Sequence, residues 1–398
     1  MKNFLVISNQ PPMPDQASGD LRFFSILEML GEFGHVTLAI KDLNSWSIST
    51  PEAEKYKSFY IKAGINLYED TIHSALNSNT FDAIIFEFYY SAYEFLDMAR
   101  YFQPQALLVV DSVDVHFNRL QAKAELTNDA NDQAQANLIR AKEITTYSKA
   151  DVIITVSEDD KSVLQSVLPK KYISVLSNVH VIHEPSLVKS REHGRLIFIG
   201  GFSHSPNIDA VWYFLNEIMP LIRSKSTEVK LSIIGSNVPQ EILDMASIDV
   251  EVIGYVEDTA PYLQSAYISI APLRYGGGMK GKVGEAMSHG LPVVTTRFGA
   301  EGFGLTAGKH LLVENTPESF AEAIFSLLND KNYYALISNN GYEFIKEHYA
   351  PEAMQKQLIG FLEHIKNIYP IKIPWHKRVL FNSKLLFERH ISWRLERL

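Results

Sequence analysis

The chain has 398 residues, 46% hydrophobic and 21% charged, enough apolar material for a large soluble enzyme and too much for one compact core, so two domains are expected. Its 37 Lys and Arg against 46 Asp and Glu leave a formal charge of -9, which excludes the global grip of a nucleic-acid binder and makes any anion site local. The absence of cysteine excludes disulfide frameworks, thiolate catalysis and thiolate zinc sites.

At the N-terminus, "MKNFLVISNQPP" has an apolar run that stops at Ser8, Asn9 and Gln10, too short for a secretory signal, and no window reaches membrane-spanning length. A cytosolic chain is expected. Short runs rich in β-branched residues then recur between helical patterns: "FLVIS" (Phe4 to Ser8), "HVTLAI" (His35 to Ile40), "AIIFEF" (Ala83 to Phe88), "ALLVVD" (Ala106 to Asp111) and "DVIITVS" (Asp151 to Ser157). Nearly continuous apolar runs suit strands covered on both faces, which predicts a doubly wound α/β domain over residues 1–180.

The pattern restarts at "RLIFIGG" (Arg195 to Gly201), followed by the helical "NIDAVWYFLNEIMPLI" and by "VKLSIIG", "VEVIGYV", "YISIAPL", "LPVVTT" and "HLLVEN". A second α/β domain is expected over residues 190–345, with a hinge at about Asn178 to Gly194 and a cleft between the two units. Residues 346–369 are expected to return to the first domain as a helix. The last stretch, 370–398, carries seven Lys or Arg and two acids, net +5, so the remainder is -14.

Ile268 to Thr296 carries the chemistry: "ISIAPL" reads as a strand, "RYGGG" as a loop, "MKGKVGEAMSHG" as a helix ending at Gly290, and "LPVVTT" as the next strand. A helix N-terminus presents unpaired N–H groups and the positive end of the macrodipole, worth up to roughly 2 kcal/mol for an anion in a partly buried site. Glycines let a phosphate reach those amides without meeting a Cβ. Arg274, Lys280 and Lys282 would add charge, and Glu285, one turn on, could accept hydrogen bonds from a ribose. An ordinary turn followed by an intrahelical Lys282–Glu285 pair explains the same local pattern.

Residues 250–304, "VEVIGYVEDTAPYLQSAYISIAPLRYGGGMKGKVGEAMSHGLPVVTTRFGAEGFG", closely resemble the donor-binding core of the glycosyltransferase group 1 family, the family 4 retaining glycosyltransferases of the GT-B fold. "RLIFIGGFSHSPNIDAVWYFLNEIMPLI", "ADVIITVSEDDKSVLQSVLPKKYISVLSNV" and "SNQPPMPDQASGDLRFFSILEMLGEFGHVTLAI" extend the similarity to most of the chain before Pro370. The resemblance implies two facing Rossmann-like domains, an acceptor-binding one and a donor-binding one. It also implies transfer of a sugar from a nucleotide diphosphate to an acceptor hydroxyl, with retention and without an obligatory metal or other cofactor. Lys282 and Arg274 would hold the diphosphate and stabilise the leaving group, and Glu285 would take the ribose. Gly277, Gly278, Met279, Lys280, Glu301, Gly302 and Gly201 would line the donor site.

Two departures stand out. Eight residues before Glu285, where the family's Glu-x7-Glu motif has its first glutamate, this chain has Gly277; and "GGFSHSPN" offers Ser203, His204 and Asn207 where an Arg and a Lys are usual. The glycine loop would replace side-chain contacts with backbone amides. On the acceptor side, "VVDSVDVHFNRL" places Asp111, Asp114, His116 and Arg119 after a strand, at the edge where open α/β sheets present ligand residues. Retaining chemistry without a protein base leaves the acceptor's proton to the donor phosphate, so His116, counted among the catalytic residues with Lys282 and Arg274, would position the acceptor together with Asp114 and Arg119. Gly19 and Arg22 of "SGDLR" would approach the phosphates from the first domain, or belong to a capping turn.

The expected partners are a nucleotide sugar and a glycan, glycolipid or glycoprotein acceptor, with no nucleic acid. The tail's basic and aromatic residues, among them Trp375, Phe381, Phe387 and Trp393, suit either peripheral contact with an anionic membrane or packing on the first domain. Two rival functions stay open: a sugar-nucleotide epimerase of the same fold, and a catalytically silent nucleotide-sugar-binding protein.

Overall fold

A computed structural model describes residues 2–15, 17–41, 51–185 and 190–372; the tail's aromatic and basic residues from 373 onward lie outside them. In the N-terminal domain the elements run β1 (Lys2–Ser8), α1 (Ser18–Gly31), β2 (Gly34–Ile40), α2 (Pro51–Lys62), β3 (Ile65–Tyr68), α3 (Ile72–Ser78), β4 (Ala83–Glu87), α4 (Phe88–Phe102), β5 (Leu107–Asp111), α5 (His116–Thr127), α6 (Ala130–Lys149), β6 (Val152–Thr155), α7 (Glu158–Val167) and β7 (Tyr172–Val175). The apolar runs become a seven-stranded parallel sheet in the order β3-β2-β1-β4-β5-β6-β7. Its strands are buried on both faces, so one side chain of each alternating pair, Phe4 and Val6, joins a core with α1, while Leu5 and Ile7 join the opposite core. The two edge strands, β3 and β7, had no counterpart among the sequence-marked strands.

The second domain contains β8 (Arg195–Ile199), α8 (Ser205–Tyr213), α9 (Met219–Lys225), β9 (Lys230–Ile234), α10 (Gln240–Leu243), β10 (Val250–Gly254), α11 (Ala260–Ser265), β11 (Ile268–Ala271), α12 (Gly281–Ser288), β12 (Val293–Thr295), α13 (Arg297–Ala300), β13 (Leu312–Val313), α14 (Pro317–Asn329) and α15 (Lys331–Tyr349). Its sheet is also parallel, in the order β10-β9-β8-β11-β12-β13. The helix expected after β8 is split, with a π turn at Phe214–Ile218 between α8 and α9. Pro220 has no N–H to donate to the carbonyl four residues back, and the widened turn absorbs the lost bond.

Helix α16 (Pro351–Ile365) leaves the second domain and packs Met354, Leu358, Phe361, Leu362 and Ile365 into the core beneath β1 and α1. Gln357 Oε1 accepts from the backbone N–H of Ser177 at 2.9 Å, and His364 stacks on Tyr172 at 4.0 Å. In both sheets the strand order reverses beside the first strand, between β1 and β4 and between β8 and β11, and the loops that follow these strands form the facing rims of one cleft. Among the described residues no helix is long and apolar enough to cross a membrane.

Candidate functional site

The second domain's rim is built where β11 delivers the loop 272–280 to the start of α12. Lys282, in the first turn, extends its Nζ 4.2 Å above the Phe198 ring at the end of β8 and donates to Asn207 Oδ1 at 2.5 Å. A Cβ on Gly200 would sit 2.7 Å from that Nζ, so the glycine makes room for the lysine. Burial, with Lys280 nearby, pulls the Lys282 pKa down to about 7, against an opposing pull from Glu285.

Lys280 donates to the carbonyl of Gly278 at 2.5 Å and lies 3.6 Å from Glu301 Oε2. Burial lowers its pKa too, while Glu301, Asp160 and Asp114 hold the charged form. One turn into α12, Glu285 Oε1 accepts from the Thr259 hydroxyl at 2.5 Å, and burial raises the carboxyl above its usual range. Gly278 adopts a left-handed φ of 60°, a conformation that favours glycine. Met279 turns its side chain inward to the core, leaving its backbone at the rim. Gly201 accepts from Asn207 Nδ2 at 2.7 Å, which fixes the amide that holds Lys282.

Arg274 requires a correction. Its guanidinium is bound in bidentate fashion to Asp209 on α8, at 3.0 and 2.5 Å, stacks 5.0 Å over Tyr213 and lies 3.8 Å from Glu217. Its charge is matched within its own domain, so it straps the loop to α8 instead of holding a diphosphate.

On the first domain's rim, β5 ends at Asp111 and the chain turns through Val113, at φ 56°, into α5. His116 Nδ1 lies 2.6 Å from Asp114 Oδ1, and Arg119 Nε 3.0 Å from Asp114 Oδ2. Burial raises the Asp114 pKa, but His116, Arg119 and Lys280 outweigh it and bring it to about 2. For His116, burial acts downward and Asp114 reverses it, so the imidazole sits above its ordinary value. Phe88, Tyr89 and Tyr90 surround the imidazole with centroids 5.8, 5.1 and 6.0 Å away; Phe88 itself holds φ 61°, the kind of strain that persists where the surroundings over-determine it. Glu143 on α6, unmarked in the sequence, accepts from the N–H groups of His116 and Phe117 at 3.2 and 2.7 Å and so anchors the start of α5.

Arg22 is also corrected. It is fully buried, donates to both oxygens of Asp111 at 2.8 and 3.1 Å and to the Leu176 carbonyl at 2.9 Å. Such a residue ties α1 to β5 and to the chain just after β7, and it cannot approach a phosphate. Gly19 packs against Val113 in the first turn of α1, with room for a Cβ at 3.7 Å.

The rims touch through glycines. A Cβ on Gly277 would come 2.8 Å from Arg119 Cβ, one on Gly278 3.2 Å from Asp114 Cβ, and one on Gly281 2.1 Å from Ser18 Oγ. Gly302, at φ 86°, donates its N–H to Asp159 Oδ2 at 2.9 Å. The structure thus gathers Lys280, Lys282, Glu285, Glu301, Asp114, His116 and Arg119 around one cleft. Ser18, Phe198, Thr259 and Asp160 were not marked in the sequence. Each is a common residue type with no motif spacing, and only the fold brings it there.

Residues 193–330 match the family model "Glycosyl transferases group 1". Along most of its length the chain is similar to an uncharacterized 44.6 kDa protein in the cps region of Klebsiella pneumoniae, 24% identical over an alignment 392 residues long, with 88% of this chain and 97% of that one covered. Among solved structures it resembles Anabaena HepE in complex with UDP-glucose, with a TM-score of 0.67, 11% identity and coverage of 92% of this chain and 100% of that one. It also resembles the sucrose-phosphate synthase of Thermosynechococcus elongatus, with a TM-score of 0.71, 14% identity and coverage of 92% and 99%. These likenesses give the fold as GT-B.

Proposed function

We propose that this chain, a group 1 glycosyltransferase of the GT-B fold, moves a sugar with retention from a nucleotide-diphosphate donor to an acceptor hydroxyl in the synthesis of a surface polysaccharide, glycolipid or glycoprotein. The observation that carries the reading is Lys282. It is a basic side chain at the start of α12 whose one hydrogen bond among the described residues goes to a neutral amide, beside a run of three glycines. A diphosphate supplies the missing counter-charge there, and Glu285, braced by Thr259, stands where a ribose would follow.

The bond from the anomeric carbon to the phosphate oxygen breaks, the acceptor oxygen bonds to that carbon on the same face, and the acceptor's proton passes to the departing phosphate. Lys282 and Lys280 stabilise the charge on the leaving group without a metal, and Asp114 orients His116 toward the acceptor. UDP-glucose in HepE supports a nucleotide sugar as donor, and the cps-region relative supports a surface glycan as product. We place the reaction in the cytoplasm, at the inner face of the membrane where a lipid-linked acceptor would be met.

Incubation with a panel of labelled nucleotide sugars, with and without candidate acceptors, tests this. Nucleotide release that rises with an acceptor is expected. An isomerised donor, or binding without turnover, would replace the proposal with an epimerase or a silent binding protein.

A further inference from the structure

Phe88 is the first residue past β4, at the carboxyl edge of the sheet and beside the point where the strand order reverses between β1 and β4. That crevice is where open α/β sheets take their ligands. The backbone of Phe88 holds φ 61°, a conformation that a bulky side chain adopts only at a cost in free energy. Core packing does not offset that cost: Phe88 joins none of the hydrophobic cores among the described residues, whereas Tyr89 belongs to one and Tyr90 packs against it. The Phe88 ring is half-buried, stacked on Tyr90 at 4.9 Å and 15°, and nearly perpendicular to His116 at 5.8 Å.

This aromatic pair is pinned from the loop after β1. Ser91 Oγ donates to Asn9 Oδ1 at 3.0 Å, and Glu87 meets the Ser8 hydroxyl, so the first turn of α4 is tied to the start of that loop. Asn9 keeps its Nδ2 group, and Tyr90 its hydroxyl, without a hydrogen-bond partner among the described residues. His116 lies against the pair, and Asp114, which holds both His116 and Arg119, faces Gly278 of the opposite rim. A fixed aromatic surface with polar groups around it therefore stands at the cleft, beside the imidazole on the acceptor side.

We propose that Phe88 and Tyr90 form the platform on which the acceptor is laid, and that the acceptor is a sugar ring carrying the reacting hydroxyl. The inference rests on the transferase reading above and deepens it by naming the class of acceptor. A pyranose has C–H groups on its faces and hydroxyls around its edge. Stacked on the aromatic surface it buries the C–H groups, while its edge meets Asn9, Tyr90 and His116. A lipid chain in the same place would strip water from Asp114, His116 and Arg119 without replacing their lost hydrogen bonds, and a serine or threonine hydroxyl has no ring face to offer. Phe88 orients the acceptor and exchanges no proton; the attacking hydroxyl still gives its proton to the departing phosphate.

The test uses the full chain, whichever nucleotide sugar releases nucleotide in the donor panel, and acceptors that share one alkyl chain. These are the octyl glycosides of glucose, galactose, mannose and N-acetylglucosamine, with octyl phosphate, octanol and a peptide containing serine and threonine beside them. Transfer to at least one glycoside, and not to the phosphate, the alcohol or the peptide, is expected. Phe88→Gly suits the left-handed backbone and removes the ring. It should raise the KM for the accepted glycoside about tenfold or more through the lost aromatic burial, with the donor KM unchanged and the melting temperature not lowered. Phe88→Trp should hold the acceptor KM within a few-fold, which a merely structural contact would not do. Where nucleotide is released, transfer to none of the glycosides, or equal transfer to octyl phosphate or the peptide, overturns the sugar acceptor. An acceptor KM unchanged in Phe88→Gly, or one that rises together with the donor KM, overturns the platform. Absence of nucleotide release with every donor would instead take down the transferase reading itself, and this proposal with it.

Discussion

Gly277 and Arg119 face each other across the cleft so closely that a Cβ on the glycine would lie 2.8 Å from the arginine's own Cβ. The obstacle is the root of the side chain, which cannot swing away as a long tip could. A carboxylate at this position, where the Glu-x7-Glu motif would have its first glutamate, is therefore incompatible with the rims meeting as they do. Gly277→Ala is expected to lower kcat several-fold and Gly277→Glu by about tenfold or more, roughly 1.4 kcal/mol per decade, with little change in thermal stability. Full turnover in Gly277→Glu would show that the contact is irrelevant to the reaction.

The two cations of the loop are predicted to behave differently. Lys282→Met should cost on the order of 2 to 4 kcal/mol in kcat/KM if it stabilises the departing phosphate. Arg274→Met should change kcat/KM by no more than a few-fold, because its guanidinium is already matched by Asp209. Equal losses in the two variants would restore Arg274 to the phosphate site.

Arg22 is a matter of stability. Removing it strands Asp111, 1% exposed, without its partner, and breaking such a buried pair costs about 3–5 kcal/mol. Denaturant unfolding of Arg22→Met should register that loss, and Arg22→Met with Asp111→Leu should recover a good part of it. A double variant no better than the single one would count against the ion pair as the cause.

Glu87 ends β4 fully enclosed, against Ser8. The Ser8 hydroxyl has one proton and also meets the Gln10 carbonyl, which can only accept; both contacts are satisfied when Glu87 itself carries a proton. Burial raises its pKa to about 8, Ser8 and Arg22 oppose this, and Asp20 and Asp111 add to it. The folded state therefore binds a proton that the unfolded chain releases near the ordinary carboxyl value. Stability falls as pH rises from about 4.5 to about 8 and levels off above. Glu87→Gln should flatten that slope in urea titrations at a series of pH values; an unchanged slope would place the charge on Glu87 throughout.

Asp114→Asn removes the partner that holds the His116 imidazole above its ordinary pKa. The imidazole resonance should titrate at lower pH in the variant than in the unaltered protein when followed by NMR. A histidine raised in the fold stabilises it below the unfolded pKa and loses that contribution as pH rises through the folded one, so the variant should also lose stability preferentially under mildly acidic conditions.

All six strands of the second sheet lie inside apolar-rich stretches marked in the sequence, even the two-residue β13 within "HLLVEN". The edge strands β3 and β7 were not marked, since the polar Asn66 and Ser174 interrupt "INLY" and "YISV" and leave no continuous apolar run. Lys282 and Glu285 could be marked locally because both sit on one short helix. The fate of Arg274 could not, as its partner Asp209 lies 65 residues away, nor that of Arg22, whose partner Asp111 is 89 away. The glycines were legible as bare backbone, but only the assembled cleft shows that Gly277 and Gly281 are bare for Arg119 and Ser18.

Helix α16 has a consequence for how the chain comes into being. Met354, Leu358, Phe361, Leu362 and Ile365 fill the core under β1, yet the ribosome synthesises them only after the entire second domain that separates them from β1. Domains commonly fold in order of synthesis, but here the first domain must wait, with one apolar face uncovered, until the whole second domain and α16 behind it have been synthesised. Nascent chains halted before α16 should be clients of chaperones, and loss of this helix would unmake the domain farthest from it in sequence.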